Sequence, residues 1–266
     1  LGAAHFFARA NFPNFTDDKA YLQNASTDED VFIRMAATSG LRHLKTTEGL
    51  LAIETKLNDA DPRVRVSAVR ALRSHSYETV EEMLLTKLTD SSEQVAVAAA
   101  EAFINFAPST AYETILRSAE SHPLWRVQTT LYGIAASLNT QQFPFNKVKE
   151  AYSQASNAYQ KAALLNVLGR SAQQASFIGN ELIESQEPLI LSSAASALVA
   201  SNSAKDFTDK QRSVFLNWYQ LALKKGDAAV IGIVAQVLGD STKQFKPLIT
   251  DLNFLREAKM KLSLPK

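Results

Sequence analysis

An all-α fold built from repeated helical pairs is what this 266-residue sequence predicts. Three observations carry that expectation. A short string recurs at near-constant spacing, each copy has the periodicity of a helix with one buried face, and no stretch alternates apolar and polar residues with the period of a strand.

The clearest copy runs Asp61-Pro62-Arg63-Val64-Arg65-Val66-Ser67-Ala68-Val69-Arg70-Ala71-Leu72. Related strings start at Asp30 (Phe32, Ile33, Arg34, Ala36), Glu93 (Val95, Ala96, Ala99, Ala102, Phe103) and Pro123 (Trp125, Arg126, Val127). Weaker copies start at Ala158, Pro188 and Ala228, so successive starts lie 32, 31, 30, 35, 30 and 40 residues apart. Apolar residues at i, i+4, i+7 and i+8 place one stripe of each helix in a core. Alanine at positions such as Ala68 and Ala71 lets a neighbouring helix approach closely. Pro62, Pro123 and Pro188 suit a first helical position, where the missing N–H is not needed.

Between these strings lies a second amphipathic set: Thr47 to Leu57, Tyr77 to Leu88, Ala111 to Ala119, Asn146 to Ala155, Ser176 to Ile183 and Thr208 to Leu223. Thr47, Ser76, Thr110, Asn146 and Thr208 are placed to cap their first turns. Helix, tight turn, helix, repeated, is an αα-solenoid of about seven pairs. A single array over residues 1–266 follows, because each repeat buries its apolar face on its neighbours.

Bulk properties exclude several function classes. Hydrophobic residues make up 46% and charged residues 21%, the profile of a packed protein. A net charge of +1 lacks the basic excess of a nucleic-acid binder. Up to residue 145 there are 13 Lys+Arg against 17 Asp+Glu, and after it 15 against 10, a weak field at physiological salt. With no cysteine, disulfides, thiolate metal sites and cysteine nucleophiles are excluded. The longest apolar run, Ala228 to Leu238, contains Gln236 and falls short of the roughly 18–20 residues that span a bilayer. Beginning at Leu1 without methionine and ending Leu-Pro-Lys, the chain reads as a segment of something longer.

The string Asp59-Ala60-Asp61-Pro62-Arg63-Val64-Arg65, followed by Ala68, Ala71 and Leu72, resembles the second helix of HEAT repeats, especially the short kind also seen in bilin-lyase-like proteins. That resemblance implies a right-handed αα-superhelix. The tail from Phe254 to Lys266 looks like the end of the HEAT region that precedes a cyclophilin-type peptidyl-prolyl isomerase domain in some bacterial envelope proteins. It implies a periplasmic or outer-membrane-anchored lipoprotein parent whose catalytic residues lie after Lys266, so no catalytic residue is carried over to this segment.

Candidate site residues follow from the repeat. Arg63, Arg70 and Arg73 share a helix, with Arg63 and Arg70 seven apart and therefore on one face. One reading is contact with an acidic peptide or other anion on the inner face that second helices line; the other is a solvated face. Arg65 beside Asp59 or Asp61 resembles the Asp–Arg ladder that ties HEAT units together, and Arg34 and Arg126 occupy similar early-helix positions. Counting from the string starts, the equivalents of position 70 include Thr38, Glu101 and Leu131, and those of position 63 include Val31, Gln94, Leu124 and Tyr159. The inner face is thus expected to carry Arg63, Arg70, Arg73, Glu101, Leu131 and Tyr159 and to hold a protein or peptide, or to seat another domain of the same chain.

Phe12-Pro13-Asn14-Phe15 and Phe143-Pro144-Phe145-Asn146 are similar loop strings that read either as a recognition knob or as anchors burying rings between repeats, and Trp125 and Trp218 are expected in the core. The histidines His5, His43, His75 and His122 are scattered without metal-ligand spacing. Ser74-His75-Ser76 and Ser121-His122 juxtapose serine and histidine, but neighbours at a helix end point apart, which a catalytic dyad does not allow. No catalytic residue, metal or cofactor is expected here. A non-catalytic scaffold is the first reading, the repeat part of a proline isomerase the second, and a bilin-lyase-like enzyme the third.

Overall fold

The computed structural model describes residues 19–106 and 111–201. Among them are twelve α-helices and two short 3₁₀ turns, with no strand. The helices are α1 (Lys19–Ala25), α2 (Val31–Gly40), α3 (Thr47–Lys56), α4 (Pro62–Leu72), α5 (Tyr77–Leu88), α6 (Glu93–Phe106), α7 (Tyr112–Ser121), α8 (Trp125–Leu138), α9 (Phe145–Gln154), α10 (Ala158–Leu168), α11 (Ala175–Glu184) and α12 (Pro188–Ala200). The chain divides into two compact units, Leu1–Leu138 and Asn139–Lys266.

In the first unit each odd helix packs on the even helix that follows, and the even helices pack on one another in turn, α2 on α4, α4 on α6 and α6 on α8. Small side chains permit this second contact: Ala36, Ala37, Ala68, Ala71, Ala99 and Ala102 are all buried. Ile53, Leu72, Leu84, Phe103 and Ile115 fill the spaces between the layers. In the second unit α9 packs on α10, α11 on α12, and α10 on α12. There Gly169, just after α10, lies so close to α12 that an added Cβ would sit 2.7 Å from the Cα of Ala197.

Turn chemistry repeats along with the helices. Asp30 caps α2 by accepting Phe32 N–H at 2.7 Å, and Asp61 caps α4 by accepting Arg63 N–H at 2.8 Å. Two residues before each cap a further side chain closes the turn. Asp28, Asp59 and Asp90 accept the N–H of Asp30, Asp61 and Ser92 at 2.8, 2.9 and 2.9 Å. The odd helices depart from the expected caps. Thr46, not Thr47, caps α3 by accepting Gly49 N–H, and the Ser76 hydroxyl bonds Thr79 rather than a backbone N–H. Pro144 precedes α9, with Asn146 inside the helix, because Phe145 N–H bonds the Phe143 carbonyl at 2.9 Å in an inverse γ-turn centred on Pro144. The rings of Phe143 and Phe145 are buried and meet edge to face at 4.8 Å.

Two arginines bind successive repeats together. Arg65 donates from Nε and Nη2 to both carboxylate oxygens of Asp90, at 3.0 and 2.7 Å, and from Nη1 to the carbonyls of Asp59 and Ala60 in its own turn. Arg34 does the same one repeat earlier, reaching Asp59 at 3.0 and 3.2 Å and the carbonyls of Asp28 and Glu29. The carboxylate partner of Arg65 is therefore Asp90, not Asp59 or Asp61. Its Nη1 is taken up by its own turn, so the other edge of the planar fork faces the following repeat. Asp61 serves instead as helix cap and as partner of Arg63, and Arg126 belongs to a different position of the repeat.

The ladder changes chemistry at its next step. Three residues into α6 the arginine position holds Ala96, and the carboxylate position before α8 holds His122. His122 Nδ1 accepts Leu124 N–H at 3.1 Å while Nε2 donates to the Leu88 carbonyl at 2.8 Å, so one ring closes the turn and reaches the preceding repeat. A carboxylate there would lack its arginine, an uncompensated charge that partial burial penalises.

Burial pushes the carboxyls of Asp59 and Asp90 up, but hydrogen bonds from Arg34 and Arg65 and from backbone N–H groups outweigh it and hold both below the usual 3.8. Their stabilisation is complete above that ordinary value and is lost as pH falls through the lowered folded-state values. The side chains of Arg65 and Asp90 are only 12% and 5% exposed. Arg65→Ala is expected to cost about 3 kcal/mol in urea denaturation, as for removing one member of a buried pair. Arg65→Lys, which keeps charge without the fork, should fall between it and the parent. Arg126→Ala at an exposed pair should change stability by less than about 0.5 kcal/mol.

His75 generates a second expectation. Burial, reinforced by Lys45, lowers its pKa below 6.5, and its Nε2 is buried without a partner. The unfolded chain then takes the proton more readily, so stability is full above about pH 6.5 and declines below it. Melting temperature should drop between about pH 7.5 and about pH 5 in the parent and drop less in His75→Phe, with His43, lowered by burial, Arg42 and Lys45, supplying part of the remaining slope.

Candidate functional site

The ladder determines which residues align across the even helices. With α2, α4 and α6 starting at Val31, Pro62 and Glu93, equivalent residues lie 31 apart. Phe32, Arg63 and Gln94 therefore correspond, as do Met35, Val66 and Val97, and Ser39, Arg70 and Glu101. One contact between equivalent positions is that of the Arg63 guanidinium, 5.1 Å from the centroid of the Phe32 ring.

Along these rows runs a groove of about 640 Å³. Its floor is Met35, Val66, Val97 and Ala98, and its charged rim is Arg63, Arg70, Glu93, Glu101 and Arg126. Most of the rim is neutralised internally. Arg63 pairs with Asp61 at 2.7 Å, an arrangement whose hydrogen bonds hold the Asp61 carboxyl at about 2. Arg126 pairs with Glu93 at 2.6 Å and lies 4.9 Å from the Trp125 ring centroid, with both ionic side chains about half exposed (55% and 46%). Arg70 and Glu101 form no ion pair or hydrogen bond among the described residues. Two opposite charges thus stand at equivalent positions on adjacent helices over an apolar floor, Arg70 exposed and Glu101 half-buried.

The structure brings Arg63, Arg70 and Glu101 of the expected inner-face set into this groove, together with Arg126, which is expected in the ladder from its early-helix position. Arg73 is exposed one turn beyond Arg70. Leu131, expected on the same face, is fully buried. The string start at Pro123 precedes α8 by two residues, and counting from it displaced the match by a half-turn of helix. Likewise Thr38 is buried, and Ser39 is the counterpart of Arg70. Tyr159 lies in the second unit, 71% exposed at the second position of α10. Trp125 is half-buried rather than in the core.

Neither serine–histidine string is arranged as a dyad. The Ser74 hydroxyl donates to the Ala71 carbonyl and that of Ser121 to the Arg117 carbonyl. In the second unit the Tyr152 hydroxyl donates to Glu181 at 2.6 Å, its ring meets Phe177 edge to face, and Lys161 lies 5.2 Å from its centroid. Burial and Glu181 push the Tyr152 phenol well above its ordinary pKa, so it is a linking group among α9, α10 and α11 rather than an acid or base near neutrality.

Among the described residues no three His, Asp or Glu side chains converge as metal ligands, and no helix is long and apolar enough to cross a membrane. The Phe12–Phe15 string, His5, Thr110, the helix expected from Thr208, Trp218, the copy at Ala228 and the tail from Phe254 lie outside the described residues. No protein-family model and no curated protein matches the sequence.

Proposed function

We propose that this chain is a non-catalytic HEAT-type scaffold that binds an extended protein or peptide segment on the face shared by its even helices. The supporting observation is the groove lined from Met35 of α2 through α4 and α6 to Arg126 of α8. Packed helix axes lie about 8–10 Å apart, so a site touching four of them is elongated and suits a chain segment better than a compact metabolite. Its volume is ample for several residues of peptide. The floor supplies apolar contact and the rim supplies charges that orient a ligand, the division of labour of a specific binding surface.

Selection from a random-peptide display library on the 266-residue chain tests this reading. Enriched peptides are expected to bind at least about tenfold more weakly to Val97→Trp, which fills the floor, with circular dichroism confirming retained helix. Peptides that bind Val97→Trp and a second blocked variant, Val66→Arg, as well as the parent would overturn it.

A further inference from the structure

Among the described residues, Arg70 and Glu101 differ from the other groove charges in forming no ion pair or hydrogen bond. Each stands nine residues into its helix, Arg70 on α4 and Glu101 on α6, so their separation is one helix-to-helix step. That step is about 8–10 Å for packed helices. A polyproline II segment has three residues per turn and rises about 3.1 Å per residue, so it presents every third side chain on one face, about 9 Å apart. A flat β-strand matches less well, because residues three apart point to opposite faces.

Resting on the peptide-binding reading above, we infer that the groove selects a polyproline II segment crossing α4 and α6, with an acidic side chain against Arg70 and a basic side chain three residues away against Glu101. Surrounding residues fit the same ligand. Arg73, exposed one turn from Arg70, adds a second cation within about 5–6 Å at the Cβ level and reinforces the acidic subsite. Ile104 stands at the equivalent place beside Glu101 and is 61% exposed, giving the stem of a lysine or arginine an apolar surface to lie along. Val66 and Val97 lie between the two charged subsites and the paired Arg63 and Glu93, where the spacer prolines would rest. Glu101 also works against a uniformly anionic ligand, since a polyanion would bring like charge onto it.

The test uses fluorescein-labelled ten-residue peptides and anisotropy with the whole 266-residue chain. One peptide carries Asp-Pro-Pro-Lys at its centre, one has the same composition with Asp and Lys adjacent, and two replace the charged pair by two acids or two bases. The Asp-Pro-Pro-Lys peptide is expected to bind at least about tenfold tighter than the other three. Arg70→Glu and Glu101→Arg should each abolish that preference, and the double exchange should restore it, because a polyproline II ligand can then lie in the reverse direction. Equal affinity for all four peptides, or a preference that survives the single exchanges, overturns the charge spacing; if Val97→Trp still removes binding, the peptide-groove reading stands without it. Failure of every peptide to bind the parent by about 1 mM also overturns the inference, and the groove reading then falls only if the display selection yields no groove-dependent binder.

Discussion

One guanidinium holding two turns at once is the interaction on which the first unit depends. Arg34 and Arg65 each engage their own turn through carbonyls and the next turn through a carboxylate. A planar fork with donors on fixed edges can do this only when the two turns stand at one separation and orientation, so the bond sets register as well as adding stability. Lysine, with a single ammonium, could satisfy one side or the other but could not impose that geometry.

The alignment of the even helices follows from that register. While the ladder holds, helices start 31 residues apart and like positions face like positions, which is why Phe32 meets Arg63 and why Met35, Val66 and Val97 line one floor. Where Ala96 stands in place of arginine, His122 takes over the turn, and α8 starts 32 residues after α6. The row ends there as well: Thr129, the counterpart of Val97, is buried, the counterpart of Glu101 is Gly133, and of α8 Arg126 lines the groove. A structural change of one residue in the ladder therefore delimits the candidate site.

Within that site charge is sorted by whether it already has a partner. Arg63 is tied to its own cap residue, and Arg126 to Glu93. Such pairs shape the rim but have little left to offer a ligand. Arg70 and Glu101, unpaired among the described residues, keep donors and acceptors for new charge-assisted bonds beside the apolar floor.

The repeat, the buried stripe of each helix and the small residues at close contacts were all readable from residues such as Val64, Ala68, Ala71 and Leu72, because helical periodicity is a local property. Spacing also pointed to Arg65, Asp59 and the face bearing Arg63, Arg70 and Glu101. What spacing could not supply was the partner of each charge. That Arg65 reaches forward to Asp90, that His122 replaces an aspartate, and that Leu131 turns inward depend on where each helix starts. Pro123, two residues ahead of α8, misled the count because proline is as acceptable just before a helix as at its first position. Local residue patterns fix the helices and the chemistry available on each face. Which charges neutralise one another across repeats is settled in the folded chain, because those pairs join residues 25 or more apart, and no local pattern records such distances.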